Sequence, residues 1–187
     1  MDYKHIYQTA YLHMGERVTE EDCGLLCGSH CCRNRTEDGE EIGIYLMPYE
    51  YESVFRGTKL EERFRFEKHS SKVYYIPPKV KFLYYFHCNK EEGCIRDVRP
   101  IQCRTYPFEP HLEGKRLQLV VEKQQIHGCP LLDRLEDVRE AFVEGVMLGW
   151  QALLQIPEVK SLIQYDSEIR KKENNIRLVA KEIMIEG

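Results

Sequence analysis

Eight cysteines occupy positions 23, 27, 31, 32, 88, 94, 103 and 129, and the first four crowd into ten residues as C-x3-C-x3-C-C. The next three read C-x5-C-x8-C, and Cys129 follows after 25 more residues. Buried free thiols behave as small apolar residues scattered through a core, and they would not gather in this way. Four disulfides suit an even count in an exported protein, but three features oppose them. The amino terminus, MDYKHIYQTAYLHMG, has no basic start followed by an apolar block, so no secretion signal is expected. A chain of 187 residues buries a core without covalent staples. Adjacent Cys31 and Cys32 do not easily bridge each other, and bridging both elsewhere would crowd four sulfurs together.

Metal ligation is the remaining reading. Holding a thiol of ordinary pKa, about 8.5, as thiolate at neutral pH costs about 2 kcal/mol. Eight uncompensated thiolates would exceed the stability of a typical domain, about 5–15 kcal/mol. A structural zinc site reverses that sign, with an apparent worth of about 10–16 kcal/mol. Thiolates select zinc, iron–sulfur clusters or Cu(I) over harder ions. Two four-cysteine sites, a 4Fe–4S cluster beside a zinc, or a polynuclear centre are all compatible with eight ligands, and spacing does not choose among them. The spacing does exclude a zinc ribbon with its repeated C-x2-C knuckles and the C-x2-C-x2-C-x3-C run of bacterial ferredoxins.

Charge narrows the partners. Lys and Arg number 27 against 31 Asp and Glu, a formal net charge of −4. That balance argues against general coating of DNA or RNA, which needs a basic surface to displace counterions. The longest apolar runs are short, as at Phe82–Phe86, so no membrane span is expected. A cytoplasmic location follows as an expectation, since that compartment keeps thiols reduced.

Patterning predicts an α+β fold for a single domain over residues 1–187, with the cysteine-rich part at about 19–130 and a helical part at about 131–187. Residues 1–16 read as a short strand or helix. Cys23, Cys27 and Cys31 would share one helical face, although Gly24 and Gly28 weaken a helix there. Strands are expected at Glu41–Met47, Val73–Ile76, Lys81–His87 and Leu117–Glu122. Pro48 suits the first turn of a helix over Tyr49–Phe55, while charged residues 56–72 read as a solvated loop or short exposed helix. Three prolines between Arg99 and Pro110 predict a rigid, irregular segment presenting Cys103, because proline fixes φ and lacks an N–H. Asp133 and Glu136 form a capping-box pattern that would open a helix over about 132–156. Leu135, Val138, Phe142, Val146, Trp150 and Leu153 recur at its period. Pro157 ends that helix and starts another to about Lys172, and the type of Ile176–Ile185 stays open. The expected assembly is a small, mainly antiparallel sheet with irregular cysteine-rich segments and C-terminal helices packed on it.

The strings CGSHCCR (27–33), CNKEEGCIRDVRPIQCRTYPF (88–108) and GCP (128–130) resemble the YkgJ family, whose zinc- or iron-chelating domain carries the same number of characteristic cysteines. That domain also occurs in flagellin lysine N-methylase. The resemblance runs from Cys23 to about Pro130, and its most specific part is Cys94…Arg99-Pro100…Cys103-Arg104…Tyr106-Pro107-Phe108. It implies chelation by Cys23, Cys27, Cys31, Cys32, Cys88, Cys94, Cys103 and Cys129. It implies little about a reaction.

Arg33, Arg35, Arg96, Arg99 and Arg104 each lie within four residues of a cysteine. They would offset thiolate charge or hydrogen-bond sulfur; the sharper alternative is that Arg99 or Arg104 receives an anionic substrate. His30, His87 and His127 are reserve ligands. The pairs Glu20-Glu21, Glu40-Glu41 and Glu61-Glu62 read as solvated surface, and the aromatics at 74, 75, 82, 84, 85 and 86 as sheet core. Two function classes result. One is a metal-binding protein using Zn or Fe; the alternative is a metal- or Fe–S-dependent enzyme with a protein substrate, such as a protein lysine N-methylase. The enzyme reading rests on analogy alone.

Overall fold

Helix α1 (Tyr3–His13) opens the chain, its Asp2 side chain accepting the His5 N–H at 3.0 Å, and it lies against α5 (Glu140–Leu153). The helices approach closely because α5 presents glycine where they meet. A Cβ on Gly145 would fall 2.2 Å from the His13 carbonyl oxygen, and one on Gly149 would fall 2.6 Å from the Met14 Cε. The computed structural model describes residues 1–21, 23–32, 41–72, 75–87, 99–125 and 128–185.

Helices and two three-stranded antiparallel sheets make an α+β fold. The expectation of one small sheet is corrected to two. In the first, β1 (Ile44–Tyr45), β2 (Arg65–Ser70) and β3 (Phe82–His87) run in the order β1-β3-β2. Phe86 packs there with Leu46, Tyr51 and Phe55 in a small aromatic core. In the second, β4 (Glu109–Glu113), β5 (Arg116–Glu122) and β6 (Ile176–Met184) run in the order β4-β5-β6. β5 is central, and Leu117, Leu119 and Val121 enter the main core with Phe142, Val146, Trp150 and Leu153 of α5. Helix α6 (Pro157–Lys172) packs on β4. Ser167 joins them, accepting the Leu112 N–H at 2.8 Å and donating to the Ile163 carbonyl at 2.6 Å.

Several local expectations change. The 56–72 stretch contains a short helix, α3 (Lys59–Arg63), and then strand β2. Its charged residues hid the strand because they bond across the sheet: Phe66 turns to the aromatic core, while Lys68 lies 3.5 Å from the Phe82 ring centroid. The foreseen strand at 41–47 shrinks to Ile44–Tyr45, and the helix at 49–55 is a π-helical turn over Tyr51–Phe55. Residues 73 and 74 lie outside the described residues, and Tyr75 and Ile76 are not in a strand.

The capping box does not start α5. Pro130–Asp133 and Leu135–Asp137 form 3-10 turns, Val138 and Arg139 are extended, and the helix begins at Glu140. Asp133 instead accepts from the Arg177 guanidinium at 3.0 Å. Nor is 99–110 wholly irregular. Ile101–Thr105 form one helical stretch, α4, between Pro100 and Pro107, and Pro110 sits in edge strand β4. Pro100 occupies the N-cap, so the five helical residues contain no proline, while an edge strand tolerates proline's missing donor. The C-terminal part is helical only to Lys172 and ends in β6.

Candidate metal centre

The short helix α2 (Gly24–Cys27) begins just after Cys23 and ends at Gly28, whose φ of +58° is left-handed. Ser29 is left-handed too, at +56°. Glycine takes that conformation without steric cost, and the two residues turn the chain back so that the Ser29 N–H reaches the Gly24 carbonyl at 2.8 Å. His30–Cys32 then form a 3-10 turn. The single helical face expected for Cys23, Cys27 and Cys31 is therefore broken, yet all three still line one pocket. Cys103 of α4 and Cys129, which precedes the 3-10 turn at Pro130, line it as well. Five of the expected ligands, from three separate segments, thus line one pocket. Cys32 stands beside Cys31, and their thiols are hydrogen-bonded.

The thiols influence one another. The Cys32 hydrogen bond lowers the Cys31 pKa, against burial and the repulsion of Cys23, Cys27 and Cys103. Burial raises the Cys129 pKa, opposed by the Leu131 N–H and reinforced by Cys23 and Cys27. Tyr106 forms part of the wall. Its hydroxyl donates to Gln125 at 2.9 Å, and burial, then the nearby cysteines Cys129 and Cys31, push its pKa up.

Arg99 and Arg104 also line the pocket. Arg104 is 9% exposed; its Nε donates to the Arg99 carbonyl at 2.8 Å, and its guanidinium lies 4.2 Å from the Tyr11 ring centroid. These contacts suit a strut for α4 more than a receptor for substrate. Among the other candidates, His87 is 3.0 Å from a Glu67 oxygen and 2.9 Å from Arg65. Glu20 pairs with Arg139, Glu41 with Arg65, and Glu61 accepts from the Tyr51 hydroxyl. Tyr84 and Phe86 belong to the aromatic core. Cys88, Cys94, Arg33, Arg35, Arg96, Glu40, Tyr74, His127 and the side chain of His30 lie outside the described residues.

The donor chemistry would suit a thiophilic ion, since the pocket gathers soft sulfur donors beside Arg99 and Arg104. Among the described residues, no three His, Cys, Asp or Glu side chains are so arranged that they hold an ion as they stand. Sequence reasoning missed Met14, which lines the pocket, and Tyr11 and Glu50, which brace α4. No sequence signal singled out Glu50, which shares the stretch PYEYESVF with a second carboxylate, Glu52. No family model matches the chain, and no similar curated protein or solved structure was found.

Proposed function

We propose that this protein binds zinc or iron, the latter as an ion or a 4Fe–4S cluster, through its cysteines. The observation that carries the reading is the convergence of Cys23, Cys27, Cys31, Cys103 and Cys129 on one pocket from three parts of the chain. The resemblance of the cysteine strings to the YkgJ family, which rests on these same cysteines, would add Cys32, Cys88 and Cys94 to the ligand set. The metal would cross-link three short segments distant in sequence, and it would stabilise their thiols as thiolates. Arg99, at the pocket wall, would temper the negative charge of several sulfurs. Such a role suits a reducing compartment, and we infer a cytoplasmic one.

Elemental analysis with an optical spectrum on anaerobically purified protein tests the reading. About one equivalent or more of zinc or iron is expected, with visible absorbance if iron–sulfur is present. Less than about half an equivalent of any transition metal, or four intact disulfides, would overturn it.

A further inference from the structure

Glu50 is the one fully buried carboxylate among the described residues, at 0% exposure. It follows Tyr49, whose φ of +68° is left-handed. For a bulky residue that conformation is strained, and such strain persists only where the surroundings enforce it. Both oxygens of Glu50 are engaged. Oε2 accepts the Met47 N–H at 2.8 Å, closing its own turn. Oε1 accepts the Tyr11 hydroxyl and the Ile101 N–H, each at 2.8 Å.

Ile101 is the first residue of α4, and Cys103 lies two residues on. A helix of five residues does not sustain itself in isolation. The N-cap of α4 is Pro100, which makes no side-chain capping bond. Glu50 supplies the missing acceptor from 51 positions away in sequence. Tyr11 carries the restraint to the other end of α4, because Arg104 lies over its ring. A buried carboxylate carries a desolvation cost that a purely apolar contact would not, and here three hydrogen bonds, two of them from backbone N–H groups, offset it.

We propose that Glu50 is the positioning residue of the cysteine pocket, fixing α4 through Ile101 and Tyr11 and so setting where Cys103 meets the other thiols. The proposal rests on the metal-binding reading for its purpose but not for its test. Glu50→Gln keeps the shape and turns one acceptor into a donor, so that a backbone N–H loses its partner. Tyr11→Phe removes one donor and leaves both backbone bonds. Ser167→Ala, which cuts the buried link between α6 and β4, serves as a control for general destabilisation.

In reduced, metal-stripped full-length protein, amide exchange over 101–105 and the alkylation rate of Cys103 relative to Cys129 are measured. With cobalt(II) as the probe, the sulfur-to-cobalt absorption is recorded. Glu50→Gln should speed exchange and Cys103 alkylation about tenfold and weaken the cobalt–thiolate band, with Tyr11→Phe moving both less. Ser167→Ala should lower the melting temperature and leave both unchanged. Exchange and alkylation in Glu50→Gln no faster than in the control would overturn the proposal. Should Glu50→Gln fail to fold, Glu50→Asp, which draws the carboxylate back from the Ile101 N–H, decides by the same readings. If the unmutated protein takes up no metal, the metal-binding reading falls, while exchange and alkylation still decide whether Glu50 positions Cys103.

Discussion

Around Trp150 the chain is held by apolar burial between regular elements, whereas around Cys103 it is held by isolated contacts between short ones. Trp150 is 1% exposed, with Tyr7, Phe108, Phe142 and Leu119 nearly or wholly buried in the same core. Helices α5 and α6 run 14 and 16 residues. By contrast α2 and α4 have four and five residues, and Cys31 and Cys103 are exposed. The core thus holds itself together by burial, while the described residues around the pocket form only short elements. A metal would add most where burial adds least.

The largest expected effect strikes the core. Trp150→Ala removes the largest fully buried side chain and should cost about 3–5 kcal/mol, measured by urea denaturation. A cost below about 1 kcal/mol would mean that the core is not the dominant element. Gly145→Ala comes next. Alanine would raise helix propensity by about 1 kcal/mol, but its Cβ would meet the His13 carbonyl. A net loss of about 1–3 kcal/mol is expected, and stabilisation would show that α1 and α5 slide apart at little cost.

Acidity separates the regions by sign. Burial raises the Glu109 pKa to about 7 and the Asp166 pKa to about 6, with Arg170 opposing both and Glu122 adding repulsion. Arg170 donates to Glu122 and to the Pro110 carbonyl, the latter at 2.9 Å, and stands 4.0 Å from Glu109. Raised pKa values mean that the folded state holds protons that the unfolded state has released. Stability is therefore fullest below the unfolded pKa and falls as pH rises from about 4.5 to about 7 for Glu109. The fall should be about 1–3 kcal/mol, since the Glu109 side chain keeps 28% exposure. His111, its pKa lowered by burial and Arg170, acts oppositely over the acid part of this window. The clean reading is the difference from Glu109→Gln, whose pH profile should be flatter. Metal retention should show the reverse trend and strengthen with rising pH, because thiol ligands must lose protons. Parallel trends in folding and metal retention would break the distinction.

The smallest expected effect on the core comes from Cys103→Ser. It should reduce bound metal and lower the melting temperature, while far-UV circular dichroism keeps the helicity of α5 and α6. Full metal content with unchanged melting would remove Cys103 from the ligand set. Collapse of α5 helicity would show that the pocket and the core are one cooperative unit.

What could be read in advance divides along the same line. Strand β3, strand β5 and helix α6 stand out because aromatic or apolar runs and Pro157 mark them. The clustering of cysteines was legible in the sequence, but the way Cys23, Cys27, Cys31, Cys103 and Cys129 come to line one pocket was not. Gly28 and Ser29 reverse the chain between Cys27 and Cys31, where a plain four-residue period suggested one helix. The three prolines of 99–110 hid α4, whose N-terminal amide is capped by a carboxylate remote in sequence. Strand β2 and the true start of α5 were obscured because Lys68 and Asp133 take tertiary partners that local patterns cannot reveal.

Strand β6 has a consequence of a different kind. It covers the flank of β5 with register shifts near Leu119 and Val121, and β5 itself carries the run Leu117–Val121, which contains no proline and only one polar residue, Gln118. Bare strand edges of that composition recruit other chains. Until residues 176–184 dock, the chain would present such an edge; docking replaces it with the edge of β6, which carries Arg177, Lys181 and Glu182. A chain cut after α6 should accordingly precipitate faster than one carrying a single core substitution, even with its cysteines intact.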